Sequence, residues 1–325
     1  MHDEIGGYFE LEFSGRHYLH EDALALNSGR NCLKLLVELR DVRRIWIPDY
    51  ICDAVTTACQ QSNIEIVQYE IGEDFLPTHI TDFSEGDYLY LVDYFGQLSN
   101  FSIDQFYGLS SGRLIVDAAQ SYYREYREDV DVIYTCRKFF GVPDGSFLRL
   151  RNAEEFDAKK LKLDSSSTRM DHLIGRLELS ASCFYNSYQK NEEMFYSLPV
   201  RRMSAITQCL LSGIDYKRAK ETREENFTFL DDVLRDINKI SVRFSVAPYA
   251  YPFMLSRKDS DIVRQQLIDN KVYVPTLWPN VIRDISDDKI AFEYARSLIP
   301  LPIDQRYDKE DMKTILNLIS SVIDM

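Results

Sequence analysis

Residues 114–145 read LIVDAAQSYYREYREDVDVIYTCRKFFGVPDG. The stretch holds two short apolar runs, Leu114–Asp117 and Val130–Thr135, each closed by a polar residue before the character changes. Runs of this length, bounded by Asp, Gly or Ser, read as strands buried on both faces. Upstream, Arg43–Pro48 (RRIWIP), Ile64–Tyr69 (IEIVQY) and Tyr88–Tyr94 (YLYLVDY) have the same character, and Ser146–Leu150 (SFLRL) follows. Such runs, recurring roughly every 20–25 residues with helical or irregular sequence between, favour a mainly parallel α/β sheet over a sandwich. In these sheets ligands bind beyond the carboxyl ends of the strands. That directs attention to Asp93, Asp117 and the residues after Tyr134.

Working outward, Asn27-Ser28-Gly29-Arg30 precedes apolar residues at Leu33, Leu35, Leu36, Val37 and Leu39, the spacing of a helix that starts near Ser28 or Gly29. Ala54–Gln61 reads as a second helix. From about residue 171 to 238 the pattern is helical, including Lys217–Leu234. From about 240, strand-like runs return (VRFSV, YPFML, VYVP) before a closing helix over Lys309–Val322. This predicts a large α/β domain over residues 1–235 and a smaller α+β domain over 236–325. The tract Asp164–Thr168 (DSSST) reads as a surface loop.

Composition narrows the partners. A net charge of −14 argues against nucleic acid or an anionic membrane as ligand, because phosphate-backbone binding needs clustered Lys and Arg. A single phosphate on a small molecule needs only a few local donors. No stretch has the length of uninterrupted apolar sequence of a membrane span, and MHDEIGGYFELEF lacks the basic and apolar regions of a secretory signal. The six cysteines form no CxxC pair and several lie in apolar runs, which reads as reduced thiols in a cytoplasmic protein. The histidines lack ligand spacing, so no metal site is expected. A nicotinamide enzyme would need a GxGxxG turn after its first strand, and the chain has none.

Three groups have chemical potential. Lys138 is the one lysine between Lys34 and Lys159, and it follows a strand and precedes Phe139-Phe140-Gly141. Flanking apolar groups can desolvate such an amine and make it a nucleophile, although a strand-edge lysine also arises by chance. Asp117 closes an apolar strand, where a carboxylate needs a partner; it suits either a protonated ring nitrogen or an N-cap for Ala118-Ala119-Gln120. Asn27-Ser28-Gly29-Arg30 opens a helix, where free amides and the dipole favour a phosphate and simple capping is the alternative.

In this order, Ser28-Gly29-Arg30, Asp117-Ala118-Ala119-Gln120 and Lys138 resemble the DegT-type sugar aminotransferases, fold type I enzymes that use pyridoxal 5′-phosphate (PLP). The resemblance implies that Ser28, Gly29 and Arg30 hold the cofactor phosphate, Asp117 and Gln120 contact the pyridine ring, and Lys138 carries PLP. It implies that Tyr50, in IPDYIC, stacks on the ring, and Asp93-Tyr94-Phe95-Gly96 is similar to the family's segment before the Asp strand. Arg202-Met203-Ser204 is similar to its Asn-x-Arg-Met-Ser segment, where Arg202 would be either a cross-subunit contact or a surface arginine near a helix start. Leu298–Ile303 (LIPLPI) is similar to its closing Leu-Pro motif, and GGYFELE to loops that reach towards the sugar.

Four departures stand against the pattern. Arg30 replaces a threonine. Ile133 stands where a serine is usual, leaving Thr135 as the nearest hydroxyl. FFGVPDG replaces a Gly-Glu-Gly-Gly turn. Val200 occupies the position of a partner-subunit asparagine. They mark an atypical branch in which Arg30 would supply the missing anchoring. The resemblance implies a homodimer that moves an amino group, with glutamate as donor, to a nucleotide-linked keto sugar in cell-surface polysaccharide or lipopolysaccharide synthesis. Related dehydratases carry histidine in place of the lysine, which Lys138 argues against. The alternative is a non-enzymatic relative that keeps the fold as a binding or scaffolding protein.

Overall fold

The computed structural model describes residues 17–153 and 156–323. Its first strand, β1 (Leu24–Leu26), leads into helix α1 (Gly29–Leu39), then β2 (Arg44–Pro48), α2 (Asp53–Gln61), β3 (Glu65–Tyr69) and β4 (Asp87–Val92). Helix α3 (Asn100–Leu109), β5 (Leu114–Asp117), β6 (Asp131–Thr135) and β7 (Ser146–Arg149) complete one sheet in the order β1-β7-β6-β5-β4-β2-β3. The contacts β2–β3, β2–β4, β4–β5 and β5–β6 are parallel, while β7 runs antiparallel to both β6 and β1. The apolar runs are explained by burial: Leu89, Leu114, Ile115, Val116 and Val132 are fully enclosed. Across the ladder Val92 faces Asp117 and Asp117 faces Ile133, so the carboxyl ends of β4, β5 and β6 lie at one level.

Four helices follow: α4 (Asp171–Glu178), α5 (Tyr185–Met194), α6 (Ala205–Ser212) and α7 (Tyr216–Leu234). The last part comprises β8 (Tyr251–Met254), α8 (Arg257–Asp269), α9 (Pro279–Asp284), α10 (Ile290–Ser297), β9 (Leu298–Leu301) and α11 (Lys309–Ser320). Phe227, Leu230 and Leu234 of α7 join Phe253, Val263, Ile299 and Ile315 in a second hydrophobic core.

Two of the expected late strands do not form. YPFM becomes β8, but its antiparallel partner is Leu298–Leu301. In VRFSV the Arg243 amide donates to Gln97 Oε1 (2.7 Å) and the Arg243 carbonyl accepts from Gln97 Nε2 (2.8 Å), so a side chain takes the place of a ladder. In VYVP the Val272 amide closes the end of α8 on Leu267 O, and the Pro275 carbonyl accepts from Arg264. The DSSST tract is also not a surface loop throughout. Asp164 and Ser166 are buried, and Asp164 accepts from Asn27, Arg169 and the Ser165 amide. A carboxylate hidden this way is tolerable because charged and amide donors surround it.

Candidate active site

The chain leaves β1 through Asn27 and enters α1 with Ser28 extended (φ −162°) as N-cap, its hydroxyl accepting from the Asn31 amide at 3.2 Å. Asn27 is consumed by the fold, since its side chain donates to Asp164 and accepts from Asn31 Nδ2. Gly29 is there for space: a Cβ at this position would lie 3.0 Å from Thr135 Cγ2. Without it the first turn of α1, with its free amides, sits directly against the end of β6. Arg30 lays its guanidinium 4.5 Å over the Tyr196 ring, and its buried Nε has no hydrogen-bond partner. Arg137 lies 4.3 Å over the Phe195 ring and pairs with Glu192. Burial, aided by the Arg30 charge, lowers the Arg137 pKa to about 10.

At the end of β5, Asp117 Oδ2 accepts from the Tyr90 hydroxyl (2.8 Å) and Oδ1 from the Ala119 amide (2.8 Å). The second bond is the capping role foreseen for it. Among the described residues no Lys, Arg or His pairs with Asp117. Gln120 is buried and accepts from the Phe95 amide through Oε1 (2.9 Å), whereas its Nε2 has no partner. Thr135 joins the two motifs, since its methyl meets Gly29 and its hydroxyl donates to Ala119 O at 3.4 Å.

Lys138 sits in the turn after β6, where the Phe139 and Phe140 amides both donate to Cys136 O. Its flanking phenylalanines turn inward and the lysine itself is exposed, so the apolar neighbours do not enclose the amine as expected. Nζ lies 5.7 Å from the centre of the Tyr249 ring, and the Tyr249 amide donates to Gln120 O (3.2 Å). The positive charges of Lys138 and Arg30 also act on Cys52, whose thiol pKa is nonetheless raised by burial. The phosphate-type turn, the Asp117–Gln120 turn and Lys138 therefore share one edge of the sheet.

No family model matches the chain, and no curated protein does. Solved structures match in shape. Spr1654 of Streptococcus pneumoniae, assigned as a sugar aminotransferase and solved in its PMP form, superposes with a TM-score of 0.66 at 11% identity, over 92% of this chain and 87% of that one. The aminotransferase TlmJ from Streptoalloteichus hindustanus gives 0.65 at 16% identity over 93% and 85%. The sugar aminotransferase CalS13 from Micromonospora echinospora gives 0.65 at 13% over 92% and 87%. The chain has the fold type I architecture of PLP aminotransferases.

Were PLP bound at this sheet edge, the residues present would fit it. Gln120 Nε2 and Arg30 Nε are donors left without acceptors, Gly29 lets the first turn of α1 pack against the end of β6, and among the described residues no cation pairs with Asp117. One residue expected at the site is not brought there. The Tyr50 ring is fully buried, stacked on Tyr94 (5.4 Å) and met edge-on by Trp278 (4.5 Å) and Tyr294 (5.7 Å), so protein aromatics already surround it. Arg202 pairs with Leu26 and Leu163 in short bridges and donates through Nε to Leu161 O (3.0 Å). GGYFELE lies outside the described residues. Sequence reasoning missed Arg137, Cys52 and Tyr249. Arg137 had a signal in its place beside Lys138; Tyr249, in PYAYPF, had none.

Proposed function

We propose that the protein is a PLP-dependent aminotransferase that moves an amino group from an amino acid, glutamate by preference, to a keto sugar carried on a nucleotide. Cell-surface polysaccharide or lipopolysaccharide synthesis is the setting we infer. The observation that carries this reading is the convergence of Lys138, of Asp117 with no cation beside it among the described residues, and of the N-terminus of α1, all at the carboxyl edge of a fold type I sheet.

PLP, when bound, supplies an electron sink for negative charge on a substrate carbon. The chain's own residues do the rest. The α1 amides, Ser28 and Arg30 bind the phosphate, with Arg30 supplying charge where related chains use a threonine. Asp117 holds a proton on the ring nitrogen, and Tyr90 fixes the direction of its carboxylate. Gln120 Nε2 donates to a ring substituent. Lys138 Nζ would hold the cofactor and would act as the base and acid that moves a proton at the substrate carbon. Its exposed position lets it reach both.

We infer a homodimer. Ile174, Leu177, Leu179, Tyr185 and Tyr188 on and around α4 and α5 are exposed, Leu177 by 87%, which is unusual for such residues unless another surface covers them.

The test is spectroscopic. Added PLP should give a visible absorbance band that glutamate bleaches, and Lys138→Ala should lack the band while melting as a folded protein. A wild-type protein without the band would end this reading and leave a non-enzymatic binding role.

A further inference from the structure

Arg223, on α7, is 1% exposed and yet has no carboxylate partner among the described residues. A buried guanidinium in that state must find its hydrogen bonds elsewhere, and it finds them on main-chain carbonyls and one amide side chain. Nη2 donates to Phe139 O (3.3 Å), Nη1 to Pro248 O (3.1 Å) and Tyr249 O (3.2 Å), and Nε to Gln305 Oε1 (3.1 Å). Gln305 then turns its own Nε2 back onto the same Phe139 carbonyl at 2.8 Å. The guanidinium also lies 4.7 Å over the Phe139 ring.

The targets are informative. Phe139 directly follows Lys138, and its carbonyl receives two donors from distant parts of the chain. Tyr249 carries the ring that faces Lys138 Nζ, and its amide is tied to the carbonyl of Gln120. One buried cation therefore grips both walls of the space around the lysine amine. Local bonds to Cys136 O close the turn, but FFGVPDG is an irregular segment between two strands, and Arg223 and Gln305 tie the Phe139 carbonyl to distant parts of the chain.

We propose that Arg223 and Gln305 are positioning residues for Lys138: together they fix the peptide that follows the lysine and the tyrosine that faces it, and so set where Nζ points. This rests on Lys138 being the cofactor lysine. Neither residue touches the reacting atoms. A buried guanidinium is costly unless its hydrogen bonds are met, so the three carbonyls and Gln305 that receive it hold the clamp in one arrangement.

The experiment measures the lysine itself, in the full chain without cofactor. Reductive methylation by formaldehyde and cyanoborohydride is followed by peptide mass spectrometry, with Lys258 and Lys313 as internal references. Gln305→Glu keeps the length of the side chain but removes the donor to Phe139 O, and Arg223→Lys keeps the charge but loses the fork. The labelling rate of Lys138 should change by about fivefold or more in both, as a displaced reactive group does. Ile315→Val, a core change in the second core, supplies a control for loss of stability alone and should leave Lys138 unchanged. If Arg223→Lys does not fold, Gln305→Glu decides. Lys138 labelling that stays with the Ile315→Val control would overturn the proposal. Parallel treatment of wild type with PLP and borohydride asks whether Lys138 takes the cofactor; a failure there removes the aminotransferase reading and leaves the labelling comparison standing.

Discussion

The ends of β4 and β5 look alike in sequence, and the protein uses them differently. Each is an apolar strand closed by an aspartate, YLYLVD and LIVD, and the two strands pair in register. Asp93 is fully buried and accepts from the Leu98 amide (2.8 Å), the Tyr126 hydroxyl (2.5 Å) and Arg124 (3.0 Å). Its charge is answered inside the protein, although burial still raises its pKa. Asp117 is half-buried, accepts from two neutral donors and has no cation partner among the described residues. A carboxylate whose charge is met by its own chain holds a loop, whereas one left without a counter-charge among the described residues is the one the proposed function assigns to a ligand that brings one.

Substitutions should separate the two ends. Asp117→Asn should slow amino transfer from glutamate by about a thousandfold, because it loses the charge that keeps the ring nitrogen protonated. Its urea midpoint should stay near that of wild type, and rapid-mixing absorbance gives the rate. Equal loss of activity and stability would erase the distinction drawn here. Asp93→Ala should do the reverse. It leaves Arg124 largely buried and unpaired, and unfolding in urea should show a loss of roughly 3 kcal/mol. The folded fraction should still take up PLP.

Finer probes follow. Tyr90→Phe removes one hydroxyl from Asp117 and should slow the same half-reaction by about tenfold with little change in melting. If it slows nothing, Asp117 needs no help in orientation.

The smallest effect is a pH leg. The His20 Nε2 meets the Tyr122 carbonyl in the turn after Gln120, and burial lowers the pKa of His20 to about 4. The unfolded chain therefore binds a proton near its ordinary value of 6.5 that the folded chain refuses. Stability from this group is complete above that value and is lost as pH falls towards 4. His20→Gln should flatten that part of a stability–pH curve, and an unchanged slope would show that other groups set it.

Much of the frame of this candidate site was legible in the chain. The strand runs, the helix start at Ser28, Asp117, Gln120 and Lys138 all stand out because each depends on local order: an apolar run needs two covered faces, and a cap or turn involves residues a few positions apart. The errors have the opposite origin. VRFSV has a strand's composition but bonds to Gln97, far back in the chain. Tyr50 has the right position for stacking, yet Trp278 and Tyr294 arrive from the far end of the chain to enclose it. DSSST has a loop's composition, but Asn27 and Arg169 bury its aspartate.

By itself, then, the sequence determined the class of sheet, the order of its strands along the chain and which residues end at its carboxyl edge, because periodicity and burial act over a few residues. Only the tertiary structure decided which aspartate is left without a counter-charge, which aromatic ring is already enclosed and which arginine grips the lysine turn. Those outcomes depend on charges and carbonyls brought together from distant positions, and whether a buried group is satisfied is settled by its neighbours in space.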